Sequence, residues 1–414
     1  MASVKYWLWL TTRKGLGTLT TIRVLDRFGS PEAAYFADEE AYDLVESLSA
    51  QGKKSLLDKD LSGAERILAD CDRLGIRLLT LQDAEYPNRL KNIPDPPALL
   101  YLRGKLPPVD EELVIGMVGS REASAYGVKM AGSLSMDLAR TGAVICSGIA
   151  PGIDTVSLKG ALSAGGTVIS VLAGGLDLRQ SGSEARLYDD VAAAGVLVSE
   201  YPPGTPHTGD HYRPRNRIIS GLSEGVVVVE GKATSGALIT ARAALEQSRE
   251  VFAVPGNVDA PNSEAPNRLI HDQEAQAVRS AADILAEFSL RYPLKTARPP
   301  LEREEKEQRL DAVLSGQGAP EKDPAPRRNA QLQKDPAPRK GDPPEQKLVD
   351  RTGLTDDQLD LLLTLGKESR HPDELVELTQ IPARRVLSAL TLLQLQGYIK
   401  EETGKRFTAL VRFQ

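Results

Sequence analysis

Three arginines at alternate positions open the segment Arg213-Pro214-Arg215-Asn216-Arg217-Ile218-Ile219-Ser220-Gly221. In an extended backbone, side chains two apart face the same way, ~6.6 Å from one another. Arginine meets phosphate through a planar fork of donors. A row of such forks suits a stretched sugar-phosphate strand better than one small substrate. Tyr212, just ahead, offers a ring on which a base can stack. Asn216 can hydrogen-bond a base edge or sugar, or it can simply tie down a turn. A solvated loop with carboxylate partners would also contain such a triplet, so the surroundings must decide.

Three small-residue loops form a second set of anion-binding candidates. They are Val118-Gly119-Ser120-Arg121 with Ser124 following, Cys146-Ser147-Gly148-Ile149-Ala150 with Gly152-Ile153-Asp154, and Glu230-Gly231-Lys232 with Thr234-Ser235-Gly236-Ala237. Glycine lets a backbone approach a ligand closely, and free N–H groups at a helix start favour an anion. Arg121 and Lys232 add full charges. Taken singly, each loop is also what a tight strand-to-helix turn needs for geometry alone.

The elements that must position these loops alternate in type between about 110 and 290. Apolar runs at Leu113–Val118, Ala143–Cys146, Thr167–Leu172, Val196–Val198, Val226–Val229 and Val251–Val254 read as strands. Alanine- and leucine-rich helical stretches such as Val128–Arg140 and Leu238–Gln247 lie between them. Continuous apolar strands separated by helices predict an α/β domain, a doubly wound, Rossmann-like parallel sheet covered on both faces. Ligands of such sheets bind beyond the carboxyl ends of the strands, where the three loops fall.

Four regions are expected: a helical domain over 1–80, the sheet domain over 81–292, a linker over 293–350 and a C-terminal domain over 351–414. The first reads as short helices without strand-like alternation. Its glycine turn at Leu16-Gly17-Thr18-Leu19 and its Phe28-Gly29-Ser30-Pro31-Glu32 junction look like a SAM-like or helix-hairpin-helix unit, with Arg13 and Lys14 beside the turn. The linker is dense in proline and charge and repeats Lys322-Asp323-Pro324-Ala325-Pro326-Arg327 as Lys334-Asp335-Pro336-Ala337-Pro338-Arg339. A segment with so few aliphatic residues is expected to be disordered. Helices at about 355–366, 372–379 and 382–396, followed by strands around Tyr398–Lys400 and Arg406–Leu410, predict a winged helix. Arg384 and Arg385 start its third helix, which suits duplex contact and partner docking equally.

Bulk properties narrow the function. A net charge of -6 on 414 residues argues against indiscriminate adhesion to polyanions, so a local basic patch must do the binding. Only Cys71 and Cys146 occur, which leaves no disulfide framework and no zinc spacing. No run has the length to span a bilayer, and Tyr6–Leu10 lacks a signal-peptide pattern, so a reduced cytoplasmic setting is expected. Gly221-Leu222-Ser223-Glu224-Gly225 imitates a nucleophile elbow but precedes its strand instead of following it. Gly225 to Ala233 lacks the P-loop hydroxyl, no Gly-x-Gly-x-x-Gly follows the first strand, and the four histidines lack metal spacing. Neither catalysis nor a cofactor or metal is expected.

With these residues in view, the chain resembles the DprA/Smf family of bacterial DNA-processing proteins. The likeness runs from about Tyr86 to Leu285. It is carried by Tyr86-Pro87, Asp95-Pro96-Pro97, Leu100-Tyr101, Val118-Gly119-Ser120-Arg121, Tyr126-Gly127, Ser147-Gly148-Ile149-Ala150 and Gly152-Ile153-Asp154. Further on stand Ser199-Glu200, Arg215-Asn216-Arg217-Ile218-Ile219, Gly221-Leu222-Ser223, Ser235-Gly236 and Arg249 to Gly256. The resemblance implies an extended Rossmann fold that binds single-stranded DNA, pairs into a homodimer, protects incoming strands during natural transformation and loads a RecA-type recombinase on them, without enzymatic turnover.

The residues expected to bind single-stranded DNA are Gly119, Ser120, Arg121, Ser147, Gly148, Tyr212, Arg213, Arg215, Asn216, Arg217, Lys232, Ser235 and Gly236. Departures from the family pattern stand at Tyr212-Arg213, Ser157-Leu158, Gln180-Ser181 and around Asn267, which bear on the loops at 178–186 and 257–275. A Rossmann-like nucleotide phosphoribohydrolase is the enzymatic alternative, although Gly231–Ala237 lacks the glycine run of those enzymes. A pure docking hub is the third reading, and it leaves the arginines unexplained.

Overall fold

The computed structural model describes residues 4–178 and 183–293, then 308–309, 311, 347–348, 355–366, 369–379, 381–395, 398–402, 406–409 and 411–412. The chain divides into two compact units, with the boundary between Arg327 and Arg328.

The first unit is built on nine strands: β1 Arg77–Thr80, β2 Leu99–Gly104, β3 Val114–Val118, β4 Val144–Ser147, β5 Val168–Leu172, β6 Val196–Ser199, β7 Gly225–Val228, β8 Glu250–Ala253 and β9 Gln276–Ala277. They form one sheet in the order β1-β2-β6-β5-β4-β3-β7-β8-β9. From β6 to β9 every pairing is parallel. The pairings of β2 with β1 and with β6 are antiparallel. The expected doubly wound sheet is therefore present, with an added antiparallel edge.

Strand periodicity sorts the core into two layers. Ile115 and Met117 join one buried cluster, whereas Val114 and Val118 join the other. Helices α8 (Ala125–Arg140), α9 (Ile153–Ser163) and α10 (Ser183–Ala194) cover the first face. Helices α11 (Gly209–Leu222), α12 (Gly236–Glu246) and α13 (Glu264–His271) cover the second through Ile218, Leu238 and Leu269.

The N-terminal helices α1 (Val4–Thr11), α2 (Thr18–Phe28), α3 (Pro31–Phe36), α4 (Glu39–Tyr42), α5 (Ala50–Leu57) and α6 (Ser62–Leu74) bury Trp7, Trp9, Val24 and Leu56 in the same cluster as the first face, and the short α7 (Asn88–Lys91) precedes β2. Gly29 ends α2 at φ 73, and the Ser30 hydroxyl caps α3 by accepting the Ala33 N–H at 3.1 Å, as the sequence junction suggests. One expectation is corrected here. Residues 77–80, placed in the helical region, are a strand of the main sheet. Arg13, beside the glycine turn, pairs with Asp58 at 3.3 Å and lies over Trp9.

In the second unit, helices Asp356–Leu365, Pro372–Thr379 and Ala383–Leu395 pack through Leu361, Leu375 and Leu390. The strands Ile399–Glu402 and Arg406–Ala409 pair antiparallel beside them. This is a winged helix. The Arg385 guanidinium, still exposed, is paired with Asp357 at 2.7 and 2.8 Å. Most of the expected linker, 293–350, lies outside the described residues, as do Gln180 and Ser181.

Candidate nucleic-acid interface

Strand β3 lies between β4 and β7. The chain winds outward from β3 to β6, then returns to β7 on the other side. That reversal opens a crevice beyond the carboxyl ends of β3 and β7. A cleft of about 320 Å³ occupies it, lined by Gly119, Ser120, Arg121, Asp154, Tyr212, Arg215, Asn216, Lys232, Ser235 and Gly236 among others.

Glycines bring its loops together. A side chain on Gly119 would come within 2.5 Å of Ile153. Gly152 takes φ +85 against the carbonyls of Ser120 and Arg121, and the Ile153 N–H donates to Ser120 O at 3.1 Å. The loop after β3 is thereby stitched to the start of α9. The Ser124 hydroxyl caps α8 by accepting the Gly127 N–H at 3.1 Å, while the Ser124 N–H donates to Glu230 at 2.9 Å. Glu230, 2% exposed, also accepts the Ser124 hydroxyl. Its carboxylate fills the space a side chain on Gly127 would need. This buried tie between β7 and α8 was not legible as such, because its partners are far apart in the chain.

Past β7, the Ser235 hydroxyl caps α12 by accepting the Ala237 N–H at 3.2 Å. Lys232, 57% exposed, reaches Glu122 at 3.4 Å across the mouth of the cleft. The start of α12 thus lines the cleft together with two exposed cations, Arg121 and Lys232. This arrangement attracts an anion.

The arginine row is not extended. Residues 209–222 form α11, with Pro214 inside it. The apolar set Ile218, Ile219 and Leu222, spaced i, i+1 and i+4, buries a helical stripe against the sheet, and that burial outweighs the proline. At 100° per residue, alternate side chains diverge instead of aligning. The structure scatters the row accordingly. Arg213 is exposed and outside the cleft lining. Arg215 is 5% exposed; its Nη1 donates to Val171 O at 2.5 Å, and its Nη2 lies 3.9 Å from Asp154.

Arg217 is 7% exposed, lies outside the cleft lining and pairs with Asp95 and Glu200, each at 2.9 Å. Burial works against its charge, yet the two carboxylates outweigh it and raise its pKa. Ser147 is fully buried, donating its hydroxyl to Met117 O at 2.6 Å, and Gly148 lies beneath the cleft, leaving room for Arg215 and Asp154. Asn216 donates to Gly236 O at 3.3 Å, so its amide ties α11 to the start of α12 while lining the cleft.

Tyr212 forms one wall, with the Arg121 guanidinium 4.3 Å and that of Arg215 5.6 Å from its ring centre. Asp154 is 8% exposed, and burial pushes its carboxyl up to about 6, although Arg215 pulls the other way. Burial also lowers Arg215. At 3.9 Å the pair is too loose for a strong hydrogen bond, so desolvation prevails on both sides. Among the described residues, no cluster of three or more His, Cys, Asp or Glu could hold a metal, and no helix is long and apolar enough to cross a membrane.

Comparison with known proteins gives this geometry a context. Residues 77–289 match the DNA recombination-mediator protein A family, and residues 333–405 match the DprA winged helix domain. A protein named DNA processing protein DprA from Bacillus subtilis is 42% identical over 243 residues, covering 59% of this chain and 82% of its own length. Protein Smf from Synechocystis is 29% identical over 411 residues, covering 97% of this chain and 98% of its own. The X-ray structure of DNA processing protein A from Streptococcus pneumoniae superposes with a TM-score of 0.62 at 31% identity, covering 69% of this chain and 99% of that one.

Proposed function

The chain belongs to the DNA recombination-mediator protein A family, and from that premise we propose that it binds single-stranded DNA in the cleft between β3 and β7. One observation carries this reading: two exposed cations, the start of α12 and an aromatic wall converge on one open cleft. Arg121 and Lys232 take phosphates, helped by the backbone amides near Gly119-Ser120 and Ser235-Gly236. A base stacks on Tyr212. Asn216 presents its amide to the cleft. Arg215 supports the Tyr212 wall from beneath, and Arg217 holds α11 in place through its two carboxylates. Ser147 and Gly148 shape the floor, and Arg213 adds long-range attraction from outside.

Phosphate contacts carry no sequence information, so binding is largely sequence-independent and weakens with salt. The wider role is to protect incoming strands in natural transformation and to present them to a RecA-type recombinase, in a cytoplasmic homodimer, by binding without turnover. The expected four-part division of the chain, at 80, 292 and 350, belongs to this reading too, with the strand at 77–80 assigned to the sheet.

Fluorescence anisotropy on labelled oligothymidylate across a salt series tests the proposal, with nucleotide monophosphate turnover assayed in parallel. Tight, salt-sensitive binding without turnover is expected. Turnover with no affinity for the oligonucleotide would place the chain among nucleotide hydrolases instead.

A further inference from the structure

Tyr126 is a large aromatic residue left 44% exposed on the sheet edge that carries the cleft. It is the second residue of α8 and stands outside the cleft lining. Its hydroxyl donates to the carbonyl of Pro255, two residues past β8, at 2.7 Å. Its root packs beside Glu230, two residues past β7, so the side chain reaches from there towards the end of the neighbouring β8.

The root of Tyr126 is held still. Ser124 caps its helix, Glu230 grips Ser124, and Gly127 has no room for a side chain beside that carboxylate. An aromatic anchored at both ends loses little further freedom when a ligand covers its face. The cleft, at about 320 Å³, is small beside a polynucleotide, so a strand held there must continue over the edge. Lys232 is exposed on the loop after β7, two residues from the Glu230 that holds the root of Tyr126.

We propose that Tyr126 is a second stacking platform for the polynucleotide, taking a base outside the cleft that Tyr212 lines. The inference rests on the reading of the cleft as a single-strand site. A structural role for Tyr126, pinning the loop after β8, needs its hydroxyl and not its ring. The platform needs the ring and not the hydroxyl.

The test uses the full chain irradiated with oligothymidylates that carry a single 5-iodouracil at successive positions, with crosslinks mapped by mass spectrometry. Crosslinks to Tyr212 from one position and to Tyr126 from a displaced position are expected. In anisotropy, Tyr126→Phe should keep the affinity for long oligonucleotides. Tyr126→Leu should lose about tenfold while keeping the same salt dependence. Crosslinking at Tyr212 with none at Tyr126, or equal losses for the Phe and Leu variants, overturns the platform and leaves the cleft reading standing. Absence of both crosslinks together with absence of affinity overturns the two readings alike.

Discussion

Replacing Arg121 by alanine separates the cations that meet a ligand from those that hold the fold. Arg121 is exposed and makes no ion pair among the described residues; its guanidinium rests 4.3 Å from the Tyr212 ring centre. Losing that cation–π contact at an exposed site costs only ~0.5–1 kcal/mol of stability. A hydrogen bond from a charged donor to phosphate is worth ~1.5–3 kcal/mol. Arg121→Ala should therefore bind oligothymidylate ~10–150-fold more weakly, with a melting temperature close to that of the parent. One lost phosphate contact should also flatten the dependence of log K on log salt by ~0.7.

Arg217→Ala is the internal comparison. It strands Glu200 and Asp95, both 2.9 Å from the guanidinium, although Asp95 is 37% exposed and can be solvated. With that discount, the loss of stability is ~3 kcal/mol. Anisotropy over a salt series and thermal unfolding on both variants make the measurement. If Arg121→Ala binds as tightly as the parent with an unchanged slope, the assignment of the cleft cations fails.

Three further outcomes follow from the same geometry. Asp154 titrates near 6, above the ordinary 3.8, because it is buried, so the cleft becomes more positive as pH falls through about 6. Oligonucleotide binding should tighten between about pH 7 and pH 5 in the parent and become flat in Asp154→Asn over that window. For stability the sign is the usual one for a raised carboxyl: the contribution is complete below the unfolded value and is lost as pH rises through the folded one. Chemical denaturation at a series of pH values checks it. Gly152→Ala places a side chain at φ +85 against two carbonyls and should cost ~3 kcal/mol or more, seen as a lowered denaturation midpoint. Tyr212→Leu should weaken binding by ~1–3 kcal/mol without altering the salt slope, since a base loses its platform while the phosphates keep theirs; an altered slope would tell against stacking.

Much of the fold was legible because strand and helix periods are local. The six apolar runs from Leu113 to Val254 became six parallel strands within a residue or two, since valine- and isoleucine-rich runs flanked by glycine can be buried on both faces. The Gly29-Ser30-Pro31 junction declared its own helix end and helix start. The short edge strand at Arg77–Thr80 was not legible, because four residues carry too little pattern and owe their pairing to Leu99–Leu102. That the loops at Gly119–Arg121 and Lys232–Gly236 meet at one cleft was readable, because a glycine-serine turn between a strand and a helix has one place to lie in a doubly wound sheet.

The fate of each arginine was not written locally. Alternation suggested an aligned row, but α11 fans it out, since the apolar stripe of Ile218, Ile219 and Leu222 controls the backbone. Whether a guanidinium is free or occupied depends on carboxylates elsewhere in the chain, Asp95 for Arg217 and Asp154 for Arg215. Glu230 and Ser124, 106 residues apart, join for the same reason. Residue type and spacing determined by themselves that the chain winds a parallel sheet and ends its strands in glycine-serine turns. Only the tertiary structure decided which charges face solvent, because pairing and burial are set by through-space neighbours that no local pattern records.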